Sequence, residues 1–239
     1  MAVNLDPQAD NRIHDDDVAQ RFGFAGALVP GVEVFALASA PLVASYGEGF
    51  LAGGRMALRF RKPVYDGERV VVTAEDGVLA VTGPDGVLRA TGSYDKTAPE
   101  PVGTYEDAPL PATLLAEPQV GPLGTVRMPA DAAACADYVR RVGEPSPLYA
   151  ELVHPGLLLR LVNLALMSNV ALGPWIHTAS DCRFLSAART DEPVEVRSRV
   201  TELRQRNGHD YVRYDALVLA SGRPIAEVQH EAIWRLAGA

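Results

Sequence analysis

Two stretches of this chain are apolar on every side. They run through 32–43 and 157–170, broken only by residues such as Glu33, Ser39, Arg160 and Asn163. A helix without a polar face must be buried all round. Each stretch follows a Pro-Gly pair, Pro30-Gly31 and Pro155-Gly156, and each stops near a glycine. Alternating segments come next, and period-two alternation predicts half-buried strands. In the first half these are 55–62, 69–75, 77–81 and 87–94; in the second, 176–186, 194–203, 209–219 and 224–236. "GPDG", "RNGHD" and "SGR" mark hairpin turns between them. Phe60 and Phe184 hold the same place in the first strand of each set, so one deletion brings 29–72 and 154–196 into register. The pattern predicts an internal duplication of α+β class: a buried helix wrapped by an antiparallel sheet, made twice. The halves are expected at 1–95 and 122–239, joined by a proline-rich linker over 96–121.

Composition narrows the function. The chain has 239 residues, 48% of them hydrophobic and 22% charged, as in an ordinary globular protein. No run approaches the roughly 18–20 apolar residues of a membrane helix. "MAVNLDPQAD" carries no secretion signal, so a cytoplasmic location is expected. Net charge is −8 and the basic residues are scattered, which argues against a nucleic-acid partner. Cys135 and Cys182 stand far apart with no CxxC, and the five histidines have no metal-ligand spacing, so neither a disulfide scaffold nor a metal site is expected. No phosphate-binding loop, dinucleotide fingerprint or nucleophile elbow occurs, and no cofactor is expected.

A short motif ahead of each apolar stretch gives a more specific lead. "ADNRIH" (9–14) and "GEPSPLY" (143–149) resemble the Gly-Asp-x-Asn-Pro-aliphatic-His motif of the MaoC-like family, which includes R-specific enoyl-CoA hydratases. The resemblance covers nearly the whole chain. It implies a double hotdog fold, an acyl-CoA or acyl-carrier-protein thioester as substrate, and a homodimer. In the family, the motif's Asp and His activate a water that adds across the double bond of an acyl thioester. The first copy keeps Asn11, Ile13 and His14, with Arg12 for the proline, Ala9 at the Asp position and Asp10 one place late. The second keeps Gly143, Pro147 and Leu148, with Glu144 for the Asp, Ser146 for the Asn and Tyr149 for the His.

Hydration needs a base, an acid and a group that holds the enolate oxygen. His14 is the acid–base candidate, with Asp10 or Asn11 assisting. Asp10, Asp15, Asp16 and Asp17 would tend to raise its pKa, but the last three also suit the first turn of a helix. Asn11 either orients His14 or a water, or caps a turn. The N–H groups of Gly31 and Gly156, each following a proline at a helix start, are candidates for holding a thioester oxygen; the alternative is that Pro-Gly only starts the helix. Glu144 is a base candidate if buried. Tyr149 and His154 are candidate substrate contacts, against a second half kept for structure and for shaping the acyl tunnel. His177 reads as packing, His209 as an exposed turn residue, and His230 as sheet alternation. "RFRKP" (59–63) either meets CoA phosphates or protects a strand edge. Three functions compete: a hydro-lyase at His14, a thioesterase using Glu144 or Asp16, and a non-catalytic acyl-thioester binder.

Overall fold

The computed structural model describes residues 1–5, 11–97, 100 and 103–238, with only the backbone of Arg12. Three helices open the chain: α1 (Asp16–Arg21), α2 (Gly31–Tyr46) and α3 (Glu48–Gly53). Four strands follow: β1 (Arg55–Phe60), β2 (Val71–Glu75), β3 (Val78–Thr82) and β4 (Leu88–Asp95). The second half contains β5 (Gly121–Met128), α4 (Ala132–Val142), α5 (Pro155–Met167), β6 (Ile176–Phe184), β7 (Val194–Arg206), β8 (His209–Ala220) and β9 (Arg223–Arg235). Single 3-10 turns occupy Arg12–His14 and Pro147–Ala150, the two motif positions.

The duplicated helix and strand pattern is present. The nine strands among the described residues join one antiparallel sheet, in the order β2-β3-β4-β1-β6-β9-β8-β7-β5. The halves meet where β1 pairs with β6, with Leu58 opposite Ser180 and Arg55 opposite Arg183. Of the three turns expected from their residues, "RNGHD" and "SGR" close on positive-φ pairs, Asn207-Gly208 and Ser221-Gly222, while "GPDG" has positive φ at Gly86 alone; a further such pair, Asp76-Gly77, joins β2 to β3. Such pairs match the right-handed twist of the strands they join.

The buried helices α2 and α5 lie against one face of the sheet and against each other. Phe35 and Leu42 of α2 and Leu159, Val162 and Leu166 of α5 share one core with Met56 and Leu58 of β1, Phe184 of β6 and Val228 of β9. Burial of each such side chain is worth about 2 kcal/mol. Between the helices, Glu33 is 2% exposed and accepts from Arg160 Nε (2.6 Å) and Tyr138 Oη (2.6 Å), so a carboxylate of the first half is neutralised by the second. On the opposite face, Glu231 of β9 accepts from Arg59 (3.0 Å), Arg204 (2.6 Å) and Arg213 (3.1 Å). Arg55 and Asp181 form a further ion pair across the β1–β6 seam.

Three elements were not expected from the sequence, α3, β5 and α4. The proline-rich stretch ahead of β5 is tied down in places: Tyr105 Oη donates to Glu227 (3.1 Å), and Leu115 N–H to Asn169 O (2.9 Å). Cys135 and Cys182 are both buried and free. No helix among the described residues is long and apolar enough to cross a membrane.

Candidate active site

The motif segment of the first half runs directly into α1. Asp15 caps that helix by accepting from Val18 N–H (3.1 Å), and Asp16 Oδ1 accepts from Ala27 N–H (2.7 Å). Two of the aspartates beside His14 therefore hold the local backbone. Asp10 lies outside the described residues.

Asn11 and His14 are placed together. Asn11, 6% exposed, clasps the start of β6 in the other half: its Nδ2 donates to Trp175 O (2.9 Å) and its Oδ1 accepts from Trp175 N–H (3.1 Å). The same Nδ2 lies 3.3 Å from His14 Nε2. His14 Nδ1 lies 2.7 Å from Leu28 O. A carbonyl oxygen only accepts, so Nδ1 carries the hydrogen. In the neutral ring Nε2 then holds the lone pair, towards which Asn11 turns a donor. The His14 tautomer is thus fixed by the backbone on one side and by a tethered amide on the other.

His14 lines a cavity of about 180 Å³ between the halves. Its walls are largely apolar, with Leu28, Val34 and Phe60 from the first half and Trp175 from the second. Gly31, the first residue of α2, lies on the same wall. Pro30 supplies no side-chain cap, and the Gly31 N–H makes no hydrogen bond among the described residues. A Cβ at Gly31 would fall 2.6 Å from His177 Nδ1 and 3.0 Å from Phe60 Cε2, so only glycine lets the helix start approach this closely. Arg61 and Lys62, from "RFRKP", lie at the edge of the same cavity and are exposed.

The candidates of the second half gather elsewhere, and none lines this cavity. His154 is 1% exposed and caps α5: its Nδ1 accepts from Gly156 N–H at 3.0 Å. The donor expected to meet a thioester oxygen is therefore already engaged within the protein. The Cα of Gly156 is covered as well, since a Cβ there would fall 2.1 Å from Tyr138 Oη. His154 Nε2 faces Glu144 Oε2 at 3.9 Å. That imidazole, together with the Ser146 N–H at 2.9 Å, holds the Glu144 carboxyl below its ordinary range against the opposing effect of burial. Tyr149 packs its ring 4.4 Å from that of His154, and burial pushes its hydroxyl pKa upward. Glu144, Tyr149, His154 and Gly156 form a packed polar plug. Among the described residues, no group of three His, Cys, Asp or Glu side chains is placed to hold a metal.

His177 is the residue that the sequence reading missed. It is 6% exposed and packs as expected, yet it also lines the cavity beside Gly31. Its place depends on an irregularity of β6 between His177 and Ala179, which puts His177 and Ser180 on one face although they are three apart. No local sequence signal announces that shift.

The chain has a double hotdog fold. A MaoC-like dehydratase is similar to it over 96% of this chain and 91% of its own, with a TM-score of 0.61 at 14% identity. A conserved hypothetical protein from Mycobacterium tuberculosis, described as a double hotdog, has a TM-score of 0.60 at 13% identity, over 94% of this chain and 88% of its own. An acyl-CoA thioesterase II from Mycobacterium marinum has a TM-score of 0.55 at 14% identity, over 87% of this chain and 90% of its own. No family model and no curated sequence matches the chain.

Proposed function

We propose that this chain is a hydro-lyase that adds water to, or removes it from, a short acyl thioester carried on coenzyme A or an acyl-carrier protein. The observation that carries this reading is the fixed tautomer of His14 at a cavity shared with an unbonded helix N-terminus. In the hydration direction, His14 Nε2 exchanges its long Asn11 contact for a water and takes a proton from it as the oxygen attacks Cβ of the enoyl group. Charge moves to the thioester oxygen, where the Gly31 N–H and the positive end of α2 stabilise it. The protonated His14 then delivers its proton to Cα, so water is added and the ring returns to neutral. Asn11 keeps the imidazole in line. Asp10 stands as an assisting acid–base group in this reading. Arg61 and Lys62 at the cavity edge suit the phosphates of the carrier. The small, apolar cavity favours a short acyl group.

Crotonyl-CoA is a direct probe. Wild-type protein should consume its enoyl absorbance without releasing thiol, and His14→Ala should lower kcat/KM at least ~100-fold. Full activity in His14→Ala would end the proposal. A second reading, thioester hydrolysis, draws support from the similarity in fold to an acyl-CoA thioesterase. Thiol release from butyryl-CoA would favour it. Thermal stabilisation by either compound without turnover would instead mark a non-catalytic binder.

A further inference from the structure

A buried chain of three side chains runs inward from the cavity. His177 Nε2 lies 2.8 Å from Ser180 Oγ, and Ser180 Oγ lies 2.9 Å from His230 Nδ1. The two imidazoles stack, with ring centroids 4.0 Å apart and planes at 18°. Each end of the chain carries a nitrogen without a partner among the described residues: His177 Nδ1 and His230 Nε2. The two ends are not equivalent. His230 is 0% exposed and sits against Tyr214, at 5.1 Å between ring centroids. His177 belongs to the cavity wall, with Nδ1 close over Gly31.

With the serine hydrogen given to one of the two imidazoles, the chain can be wired in two directions. In one, His230 Nδ1–H donates to Ser180, Ser180 donates to His177 Nε2, and His177 carries its hydrogen on Nδ1. In the other, the donors reverse and an unbonded N–H is left on His230 Nε2, deep in the core. Each wiring leaves one buried N–H without an acceptor, on His177 Nδ1 or on His230 Nε2, and such an N–H is costly unless something meets it. Only the first wiring places that hydrogen at the cavity wall, beside Gly31, and not in the core behind it.

We propose that His177 is a second donor to the thioester oxygen, acting beside the Gly31 N–H and held in its donating tautomer by Ser180 and His230. This rests on the reading of the cavity as an acyl-thioester site. His177 would serve as a neutral donor and not as a base. Burial pushes its pKa down to about 3, so the ring stays uncharged at any working pH. A neutral imidazole beside a helix N-terminus polarises a carbonyl without supplying a competing proton. His14 remains the proton carrier; His177 only holds developing charge.

The test uses the intact protein with crotonyl-CoA and butyryl-CoA. His177→Phe keeps a ring but loses the donor, and should lower kcat/KM for crotonyl-CoA hydration about 100-fold without moving the pH profile. His177→Asn puts an amide N–H near the place of Nδ1 and should recover much of that loss. Ser180→Ala unlocks the tautomer and should cost on the order of ten-fold. A purely structural His177 would show losses that follow melting temperature, with no recovery in the Asn variant. Near-full hydration by His177→Phe, with His14→Ala inactive, would overturn this inference and leave the hydro-lyase reading intact. If wild-type protein does not hydrate crotonyl-CoA, side-chain nitrogen NMR decides independently. Neutral His177 protonated on Nδ1, with a resonance that shifts when butyryl-CoA is added, supports the donor role. Protonation on Nε2, or no shift with butyryl-CoA, overturns it.

Discussion

At the start of α5, His154 turns Nδ1 back onto the Gly156 N–H, and the hydroxyl of Tyr138 covers the glycine from the other side. At the equivalent start of α2, Pro30 makes no side-chain cap, and Gly31, whose N–H has no partner among the described residues, lines a cavity with His14 and His177. The same Pro-Gly start has become a closed joint in one half and an opening in the other. The closed version gains a cap, a Glu144 carboxylate facing His154 Nε2, and packed aromatic rings. The open version forgoes the cap and leaves polar groups unpartnered. A duplicated fold can place stability in one copy and keep reactive geometry in the other, and the variants below separate the two.

The largest contrast is expected between the paired glycines. In Gly31→Ala the new methyl would press on His177 Nδ1 at 2.6 Å and on Phe60 at 3.0 Å. The helix start must retreat from the cavity, and crotonyl-CoA hydration should fall about 100-fold, the scale for a lost oxyanion donor. In Gly156→Ala the methyl meets Tyr138 Oη at 2.1 Å and Ala36 Cβ at 2.7 Å. That variant should lose about 1–3 kcal/mol of stability through overpacking, while its folded fraction keeps near-normal kcat. Activity assays beside urea unfolding would distinguish them. Equal loss of activity in both variants would break the asymmetry.

Next in size is the tie between the helices. Glu33→Ala leaves Arg160 and Tyr138 without their shared acceptor. Removing one side of a buried pair costs about 3–5 kcal/mol, and somewhat less here because Arg160 is 26% exposed. About 2–3 kcal/mol in chemical unfolding is expected, expressed as loss of the whole fold and not of one half, because the sheet is continuous.

The seam on the outer face should give acid sensitivity. Arg59, Thr178 and Arg213 pull the Glu231 carboxyl down from 4.5 to about 2 against the opposing effect of its burial. A carboxylate with a depressed folded-state pKa stabilises the fold above its unfolded value, and that stability is lost as pH falls. Melting temperature should therefore drop between pH ~4.5 and ~2. Glu231→Gln should be less stable at neutral pH and show a shallower decline over that window. An unchanged slope would place the acid-labile contacts elsewhere.

Much of this arrangement was legible along the chain, for reasons particular to each element. α2 and α5 have no polar face, and β6 to β9 alternate between turn pairs that accept positive φ. β5 was hidden because Gly121, Pro122 and Gly124 interrupt it and only its middle is buried. α4 carries ordinary signals that went unread: Asp131 caps its start by accepting from Ala134 N–H at 2.8 Å, and Gly143 closes it in the left-handed region. The motif points to His14, which does line the cavity. Nothing local points to His177, because its place on the same wall depends on the shift in β6, and its buried partner His230 lies across the register from Ser180. Neither is visible until strands are paired. The closure of the second site was equally hidden, since nothing in the spacing of Glu144, His154 and Gly156 says that the N–H is already satisfied.

The smallest effect probes that closure. His154→Ala removes the cap from α5, and loss of a capping side chain typically costs ~1 kcal/mol. A modest fall in melting temperature is expected, with hydration unchanged within a few-fold because His154 does not line the cavity. The double variant His14→Ala/His154→Ala is sharper. It leaves Gly156 N–H without its internal acceptor, yet Tyr138 Oη still covers the glycine and Tyr149 still stands where the motif histidine would be. No hydration of crotonyl-CoA should return. If it did, the second half would hold a latent site closed by one imidazole, and the division of labour between the copies would be a single substitution deep.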